Sequence, residues 1–520
     1  MGSTACGLAA TLALLALWPS VGHAAGDSQR IEQLEDSVRS LADQLTELRR
    51  ERSLDRAQGA ELESRISGLQ GLMGRVQVGG YGSLRWENSS LGGRPDSFTL
   101  RRLVLTTAAQ ISDRLRFYSE IEYERFRAIE LERSTLPVRK LENVPEGLRL
   151  TQEIEGTDGS EIALEQAWIE LDLRRNLRFR AGALLVPVGR FNRSHDDDRW
   201  NGTRRSLIDR GAPVLPVPAA WDELGVGLQG ERRVGEGQIL WELYVMNGAA
   251  LGGSLEQVAA IRNQPGGKRD KIALELEMAP QNGPFSIDTK QAKAFAGRLA
   301  WQPASGSELA LSFYRGRYTP DYLAGQSLSI VGADGIGHLG GLEIEGEYLW
   351  AHYGGVPSVA RSLARRALES SVQNSAAFDP TVETEIEVAL KGLADDKHGY
   401  WVELRYPLWP DLLRGTWLDR GFSNPQLIPI LRWEQVFFRD RVAKLGFSGG
   451  AVQQLATENR TLSRITTGLS YRPTPLVALT LAYEYLVADG RSLDGLTTFL
   501  RSRTREVSAH FLTAGVTFGF

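Results

Sequence analysis

The last nine residues of the chain alternate strictly between apolar and small or polar side chains. One parity carries Leu512, Ala514, Val516, Phe518 and Phe520, and the other carries Thr513, Gly515, Thr517 and Gly519. A period of two is that of a β-strand whose two faces meet different environments. The closing strand of a membrane barrel faces lipid on one side and can carry an aromatic residue at the bilayer interface. The ending therefore predicts a strand of this kind.

The same period recurs in about sixteen segments between 76–87 and 507–520. The connections alternate in length along the chain. Short ones are 111–112, 174–176, 232–236, 303–306 and 473–474, and long ones are 126–160, 187–221, 248–290, 354–397, 438–461 and 488–506. Tight turns at one end and long loops at the other are typical of outer-membrane barrels. The pattern predicts an all-β fold, a transmembrane antiparallel β-barrel of about sixteen strands, with 407–425 as an exception among the short connections.

Composition agrees with a barrel and excludes several other classes of protein. After the N-terminus no apolar run approaches the roughly 18 residues that a membrane-spanning helix needs, and the mean hydropathy is −0.24. The 60 basic and 64 acidic residues give a net charge of −4, which does not favour nucleic acid as a partner. The single cysteine, Cys6, allows neither an intramolecular disulfide nor a cysteine metal cluster.

Two segments precede the predicted barrel at 75–520. Residues 1–25 combine an apolar stretch with a small-residue run at Ala24 and Ala25, which predicts a signal peptide, although no basic residue precedes Arg30. Residues 26–74 carry a heptad whose clean part consists of Ile31, Leu34, Val38, Leu41, Leu45 and Leu48. A single helix cannot bury this stripe, so we expect a periplasmic coiled coil, with a helix lying on the barrel rim as the alternative.

The polar parity of the strands is rich in ionisable residues and should face the lumen, because charge is costly on the lipid side. A barrel of about sixteen strands is wide enough to leave an aqueous channel. The alternative is that most of these charges only pair across the lumen. Loop 187–221 adds many arginines and aspartates, and its Pro and Trp content argues against disorder. Our candidates for the lining and constriction of a pore are Arg102, Arg178, Arg180, Arg190, Arg193, Asp196, Asp197, Asp198, Arg199, Arg204 and Arg205.

The chain resembles the phosphate-selective porins O and P and the wider group of coiled-coil-led trimeric porins. The resemblance lies in the heptad segment, VGGYGSLRW at 78–86, FTLRRLVL at 98–105, GALLVPVGRFN at 182–192 and the closing strand. It implies a homotrimeric channel in the outer membrane of a Gram-negative bacterium, with the N-terminal helix in the periplasm. It also implies that loop 187–221 folds into the bore and that arginines form the constriction. Phe520 would then be a signal for the barrel-assembly machinery.

This resemblance leaves the solute open. It implies small hydrophilic solutes or ions, and in the phosphate-selective members a strong preference for anions. However, the predicted lumen holds as many carboxylates as guanidinium groups, and a row such as Glu120, Glu122 and Glu124 would repel phosphate. The sequence therefore does not decide between anions and cations.

Other functions have weaker support. A barrel hydrolase needs a histidine beside a nucleophile, and Ser194, His195 and Asp196 are consecutive, so their side chains point apart. A cation site at His195, Asp196, Asp197 and Asp198 competes with a solvated acidic loop, and the EF-hand spacing is absent. A structural envelope tether built on the coiled coil is the remaining alternative. We expect no enzymatic activity, no cofactor and no bound metal.

Overall fold

The computed structural model describes residues 36, 39 and 40, and residues 75–520 with several gaps. The gaps are 92–95, 125–128, 137–148, 157–160, 212, 218–219, 262–270, 282, 284, 286–289, 304–305, 375–385, 390–392, 449–450, 494–495 and 497–504. Arg75–Phe520 forms one compact unit. The signal peptide and the heptad positions Ile31, Leu34, Val38, Leu41, Leu45 and Leu48 lie outside the described residues. Among the residues that are described, no helix has the length and apolar character to cross a membrane.

The described residues of this unit form twenty-one strands. They are β1 Val76–Ser89, β2 Ser97–Ser112, β3 Leu115–Glu124, β4 Ile129–Leu136, β5 Arg149–Gly156, β6 Glu161–Arg174, β7 Leu177–Leu185, β8 Asp222–Val234, β9 Gly237–Met246, β10 Ala250–Ile261, β11 Lys271–Gln281, β12 Ala294–Gln302, β13 Glu308–Arg317, β14 Ser327–Leu339, β15 Leu342–Tyr353, β16 Ile386–Ala389, β17 Ala394–Arg405, β18 Gln426–Ser448, β19 Ala451–Thr474, β20 Val477–Ala488 and β21 Ser508–Gly519. Period-two sequence explains most of them, because alternate side chains of a strand point to opposite faces.

Sixteen of these strands close into an antiparallel barrel, as the sequence predicted. Each wall strand pairs with the next wall strand along the chain, and the ring closes where β21 pairs with β1 from Tyr81↔Gly519 to Ser89↔Phe511. Beyond β21, the amide of Phe520 donates to the carbonyl of Gly80 at 3.0 Å, and the amide of Gly80 donates back at 3.2 Å. Closure leaves no free sheet edge along the wall.

The two faces of the wall differ in chemistry. Large apolar side chains point outward and are exposed, for example Leu311 at 63% and Trp433 at 57%. The opposite parity points inward and holds charged residues, among them Glu120, Arg432 and Glu484, which are nearly inaccessible. The parity deduced from the sequence is therefore confirmed, and the charges lie inside the barrel, away from an apolar outer surface.

The long connections hold more structure than the sequence suggested. Two of them contain hairpins that form separate sheets, β4 with β5 and β10 with β11. A third contains a helix, α2 (Val356–Asn374), and in a fourth β18 and β19 simply continue their pairing to Ser448↔Ala451. The weakest predicted strand, 327–332, is also longer than expected and runs over the whole of β14. Turn residues and glycines had hidden these continuations in the sequence.

Candidate functional site

The loop between β7 and β8, residues 187–221, lies inside the barrel; we call it the inserted segment. Its described elements are a single helical turn, α1 (Arg190–Arg193), a 3-10 turn Asp197–Arg199 and a π turn Leu207–Gly211. Its contacts reach wall strands far apart around the ring, from β1 and β3 through β9 and β15 to β19 and β21. The sequence-based expectation that this loop enters the bore therefore agrees with its position.

The segment first contacts β15. Gly189 has a φ of 84°, a conformation that glycine tolerates, and a Cβ there would lie 2.7 Å from Glu347 Oε1. The backbone amide of Arg190 donates to the same oxygen at 2.9 Å, and Trp401 donates its indole N–H to the other oxygen at 2.9 Å. The guanidinium of Arg190 pairs with Glu345 and with Glu308. The close approach of backbone to carboxylate thus depends on glycine at position 189.

Three wall arginines hold the middle of the segment by its backbone carbonyl groups. Arg472 donates to the carbonyls of Asp198 and Trp200 at 2.8 Å each. Arg432 donates to the carbonyl of Arg204 at 3.0 Å, and Arg464 donates to that of Arg205 at 2.5 Å. A guanidinium group has several donors in one plane, so Arg432 and Arg464 each bond a wall carboxylate, Glu403 and Glu434, together with the segment.

Aromatic and aliphatic side chains fill the bore beside these polar contacts. Phe191 and Trp200 stack with their ring centroids 3.7 Å apart, and Trp401 meets Phe191 edge-on at 5.0 Å. They belong to a buried apolar cluster that includes Leu207, Ile208, Val214, Trp221, Tyr314 and residues of α2. The bore is consequently narrower than that of an empty sixteen-strand barrel.

Several of the arginines proposed from the sequence are buried in ion pairs. Arg102 lies 2.7 Å from Glu122 and is 1% exposed. Arg204 pairs with Glu87 and, at 3.6 Å, with Glu484, while Arg205 lies 3.8 Å from Asp197. The side chains of these three arginines are at most 7% exposed, and each lies near a carboxylate. Their place in the lining of a pore stays a prediction.

Other predicted arginines remain accessible to water. Arg193 pairs with Glu242 at 2.9 Å, Arg199 pairs with Asp196 at 3.0 Å, and Arg178 lies 3.7 Å from Glu231. Arg180 pairs with Glu170 at 2.7 Å and lies 3.8 Å from the ring centre of Trp168. These pairs line the side of the bore formed by β3 and β6–β9. A cavity of about 890 Å³ lies at the short-turn end, with Arg190, Gln238, Gln302 and Glu308 in its wall.

The three aspartates of the loop have different surroundings. Asp197 accepts a hydrogen bond from Ser83 at 2.7 Å on β1, and Asp198 lies beside the closing strand near Gly519. Asp196 contacts His195, and burial raises the pKa of Asp196 to about 6. The sequence treated the three as one acidic run, but each contacts a different part of the wall.

His195 lies in a buried cluster with Glu120, Glu165 and Asp196. Its Nε2 is 3.2 Å from Glu165 Oε2, and its Nδ1 is 3.0 Å from the carbonyl oxygen of Asn192. Burial opposes a charge on His195, but the carboxylates of Glu165 and Glu120 outweigh burial and hold the pKa of His195 well above its usual value. Both ring nitrogens are thus engaged, and His195 is not positioned as the base of a Ser194 nucleophile.

Sequence analysis missed Glu165 because parity alone does not place it in the bore. The register between β3 and β6 shifts between Glu120↔Gln166 and Ile121↔Leu164, which leaves Glu165 as the extra residue of a β-bulge. A bulge turns a side chain away from its regular face. Glu165 and its neighbour Gln166 therefore both face the interior, and the sequence carries no turn residue at this point that would have revealed it.

Comparison with known proteins gives distant similarities. No protein-family profile matches the sequence. An uncharacterised protein of Aquifex aeolicus (strain VF5) is 24% identical over 280 residues, which are 54% of this chain and 50% of the relative. The chain thus spans about half the length of this curated relative.

Among solved structures, the anion-selective porin from Comamonas acidovorans has a TM-score of 0.45 and 10% identity, covering 86% of this chain and 99% of that one. OmpF of Salmonella typhi, in complex with daunomycin, has a TM-score of 0.44 and 10% identity, covering 86% and 97%. The outer-membrane channel DcaP of Acinetobacter baumannii has a TM-score of 0.40 and 10% identity, covering 86% and 97%.

Proposed function

We propose that this protein is an outer-membrane porin, a passive channel for small hydrophilic solutes or ions that the inserted segment narrows. The observation that supports this most is a closed barrel with an apolar exterior, a charged interior and one long loop packed across the bore. Such an exterior suits lipid, and such an interior suits water and ions. The short-turn end would face the periplasm, and the long loops would face outward.

We propose further that the channel favours small anions, a class that includes inorganic phosphate. In three of the four accessible ion pairs on this side of the bore, the guanidinium is the more exposed partner; in the fourth, Arg178 is 31% exposed against 45% for Glu231. Arg193 is 33% exposed against 18% for Glu242, and Arg199 is 61% exposed against 16% for Asp196. At Arg193 and Arg199 a passing ion would therefore meet the positive end of the pair first, and arginine keeps its charge at any working pH.

The heptad residues support a homotrimer as the assembled form. Ile31, Leu34, Val38, Leu41, Leu45 and Leu48 would form the seam of a parallel periplasmic coiled coil. The barrels of the three protomers would lie side by side in the outer-membrane lipid. In this arrangement every protomer carries its own bore, so the channel does not depend on a shared pore.

We expect the double substitution Arg193→Ala/Arg199→Ala to shift the reversal potential towards cations. The substitution removes the two most exposed guanidinium groups among the described side chains of the segment, and with them the arginine partners of Glu242 and Asp196. The measurement is single-channel recording of the purified protein in planar bilayers under a salt gradient.

Arg414→Ala is the matched control for this measurement. Arg414 pairs with Asp411 at 3.1 Å three residues apart, as Arg199 does with Asp196, but it lies in the connection between β17 and β18. We expect its reversal potential to equal that of the wild type. A wild-type protein without conductance would contradict the channel, and a double variant with wild-type selectivity would contradict the anion preference.

We propose that Phe520 takes part in barrel assembly. Its backbone closes the ring against Gly80, and its ring lies 3.0 Å from where a Gly80 Cβ would be. Phe520→Ala should lower the yield of folded protein in the outer membrane several-fold, whereas Phe520→Tyr, which keeps the ring, should fold at near wild-type yield. Heat-modifiable mobility on gels of outer-membrane fractions measures the yield of both variants. A yield of Phe520→Ala equal to that of the wild type would contradict this role.

A further inference from the structure

A buried histidine on the inserted segment faces three carboxylate groups. His195 Nε2 lies 3.2 Å from Glu165 Oε2, 3.6 Å from Glu120 Oε1 and 3.8 Å from Asp196 Oδ1. The side chains of His195, Glu120 and Glu165 are at most 4% exposed. Two of the carboxylates come from the wall, on β3 and β6, and the other two residues come from the segment.

The proton on the ring can be assigned from its contacts. Nδ1 lies 3.0 Å from the carbonyl oxygen of Asn192, which can only accept, so Nδ1 carries a proton. In the neutral ring Nε2 then presents a lone pair to three carboxylate oxygens, which are also acceptors. Such an arrangement is repulsive unless either a proton on Nε2 or a metal ion lies between the ring and the carboxylates.

We propose that Glu120, His195 and Asp196 bind one divalent transition-metal ion, with Zn²⁺ as the best-suited ion and its fourth position open to water. Bonds of about 2.0–2.2 Å in tetrahedral geometry place ligand atoms roughly 3.4 Å apart. The ligand atoms of the three residues are all within 4.8 Å of one another, and Nε2 lies 3.6 Å from Glu120 Oε1 and 3.8 Å from Asp196 Oδ1. Imidazole favours a transition metal over Ca²⁺ or Mg²⁺.

The atoms that would not bind the metal are held by other groups. Glu120 Oε2 accepts from Gln166 at 2.6 Å and from Tyr118 at 3.2 Å, and Asp196 Oδ2 pairs with Arg199 at 3.0 Å. His195 donates its Nδ1 proton to a backbone carbonyl, which is the usual partner of a metal-bound histidine.

Glu165 lies beside these three residues. Its Oε1 is 3.8 Å from Arg102, an ion-pair distance, and its other oxygen faces His195. The β-bulge brings Glu165 to this position. Glu120 and Asp196 each turn one oxygen to the site and the other to a fixed donor.

A metal at this point would join the segment to β3, next to Arg193 and Arg199. It would also reduce the local charge, because three carboxylates and a neutral imidazole sum to −3, and Zn²⁺ brings this to −1. The site would hold the narrowed region in one shape without itself facing the solute path.

The test uses the purified full-length protein in detergent, freed of metal with EDTA and then dialysed against Zn²⁺. Elemental analysis should find one tightly held Zn²⁺ per chain in the wild type. The variants His195→Gln and Glu120→Gln should hold at least tenfold less at the same free Zn²⁺. With Co²⁺ in place of Zn²⁺, the wild type should show the strong visible absorption of a tetrahedral site, and both variants should lack it.

His352→Gln is the matched control. His352 also lies 3.0 Å from a carboxylate, that of Asp396, but it is on an exposed part of β15. Its described bonds include no further carboxylate. We expect this variant to keep the wild-type Zn²⁺ content. If the wild type held no more Zn²⁺ than His195→Gln, the proposal would be wrong. The positive charge among the carboxylates would then be a proton on Nε2. Because metal content is read without any conductance measurement, failure of this test and failure of the channel proposal are distinguishable.

Discussion

Replacing residues 187–220 with a turn of about five Gly and Ser residues is expected to raise single-channel conductance several-fold. A short turn can join the strands because Leu185 and Asp222 are paired neighbours at the ends of β7 and β8. The change removes both the ion-paired backbone and the aromatic stack of Phe191 and Trp200 from the bore. Without them, a barrel of this strand number encloses a wide aqueous lumen.

The barrel itself should survive this deletion. Its wall is held by backbone pairing between neighbouring strands, to which the inserted segment contributes nothing. The wall charges that lose partners, such as Glu347 and Arg472, would be hydrated by the water that enters. Heat-modifiable mobility on gels should therefore remain, and the loss of ion selectivity should accompany the gain in conductance.

A deletion of equal length elsewhere provides the control. Residues 126–159 contain β4 and β5, which form a sheet separate from the wall. Replacing them with the same short turn should leave conductance near the wild-type value. If the deletion of 187–220 also left conductance unchanged, the inserted segment would not be the element that limits ion flow.

The barrel could be predicted from the sequence because its cause is local. Alternation in stretches such as 342–350 and 464–471 reflects lipid on one side of a strand and a polar interior on the other. Long and short connections then fix the number of strands and the side on which each turn lies. Neither inference needs knowledge of contacts between distant residues.

The contacts of the inserted segment could not be predicted in the same way. The pairing of Arg190 with Glu345 and the bond from Arg464 to the carbonyl of Arg205 join residues more than 150 positions apart. Composition showed that residues 187–221 are rich in charge, but it could not show which charges are buried against the wall. Arg199 and Arg205 look equivalent in the sequence, yet one is exposed and the other is buried.

Arg464→Met is expected to lower the free energy of unfolding by about 3–5 kcal/mol. Arg464 is 2% exposed and bonds Glu434 at 2.5 Å, Glu484 at 3.3 Å and the carbonyl of Arg205 at 2.5 Å. Methionine fills much of the space but leaves two nearly inaccessible carboxylates without this partner. Breaking one side of a buried ion pair is costly because the remaining charge stays desolvated.

Arg491→Met is the matched control, since Arg491 also contacts two carboxylates, Glu458 at 3.0 Å and Asp489 at 3.4 Å, but is 53% exposed. Exposed pairs of this kind contribute about 1 kcal/mol or less. Urea unfolding in lipid vesicles measures the free energy of unfolding of both variants. Adding Glu434→Gln to Arg464→Met should restore part of the lost stability, because it removes one of the two carboxylates that lost this partner. Equal losses for Arg464→Met and Arg491→Met would mean that water reaches the wall beneath the inserted segment, because only hydration could make a buried pair behave like an exposed one.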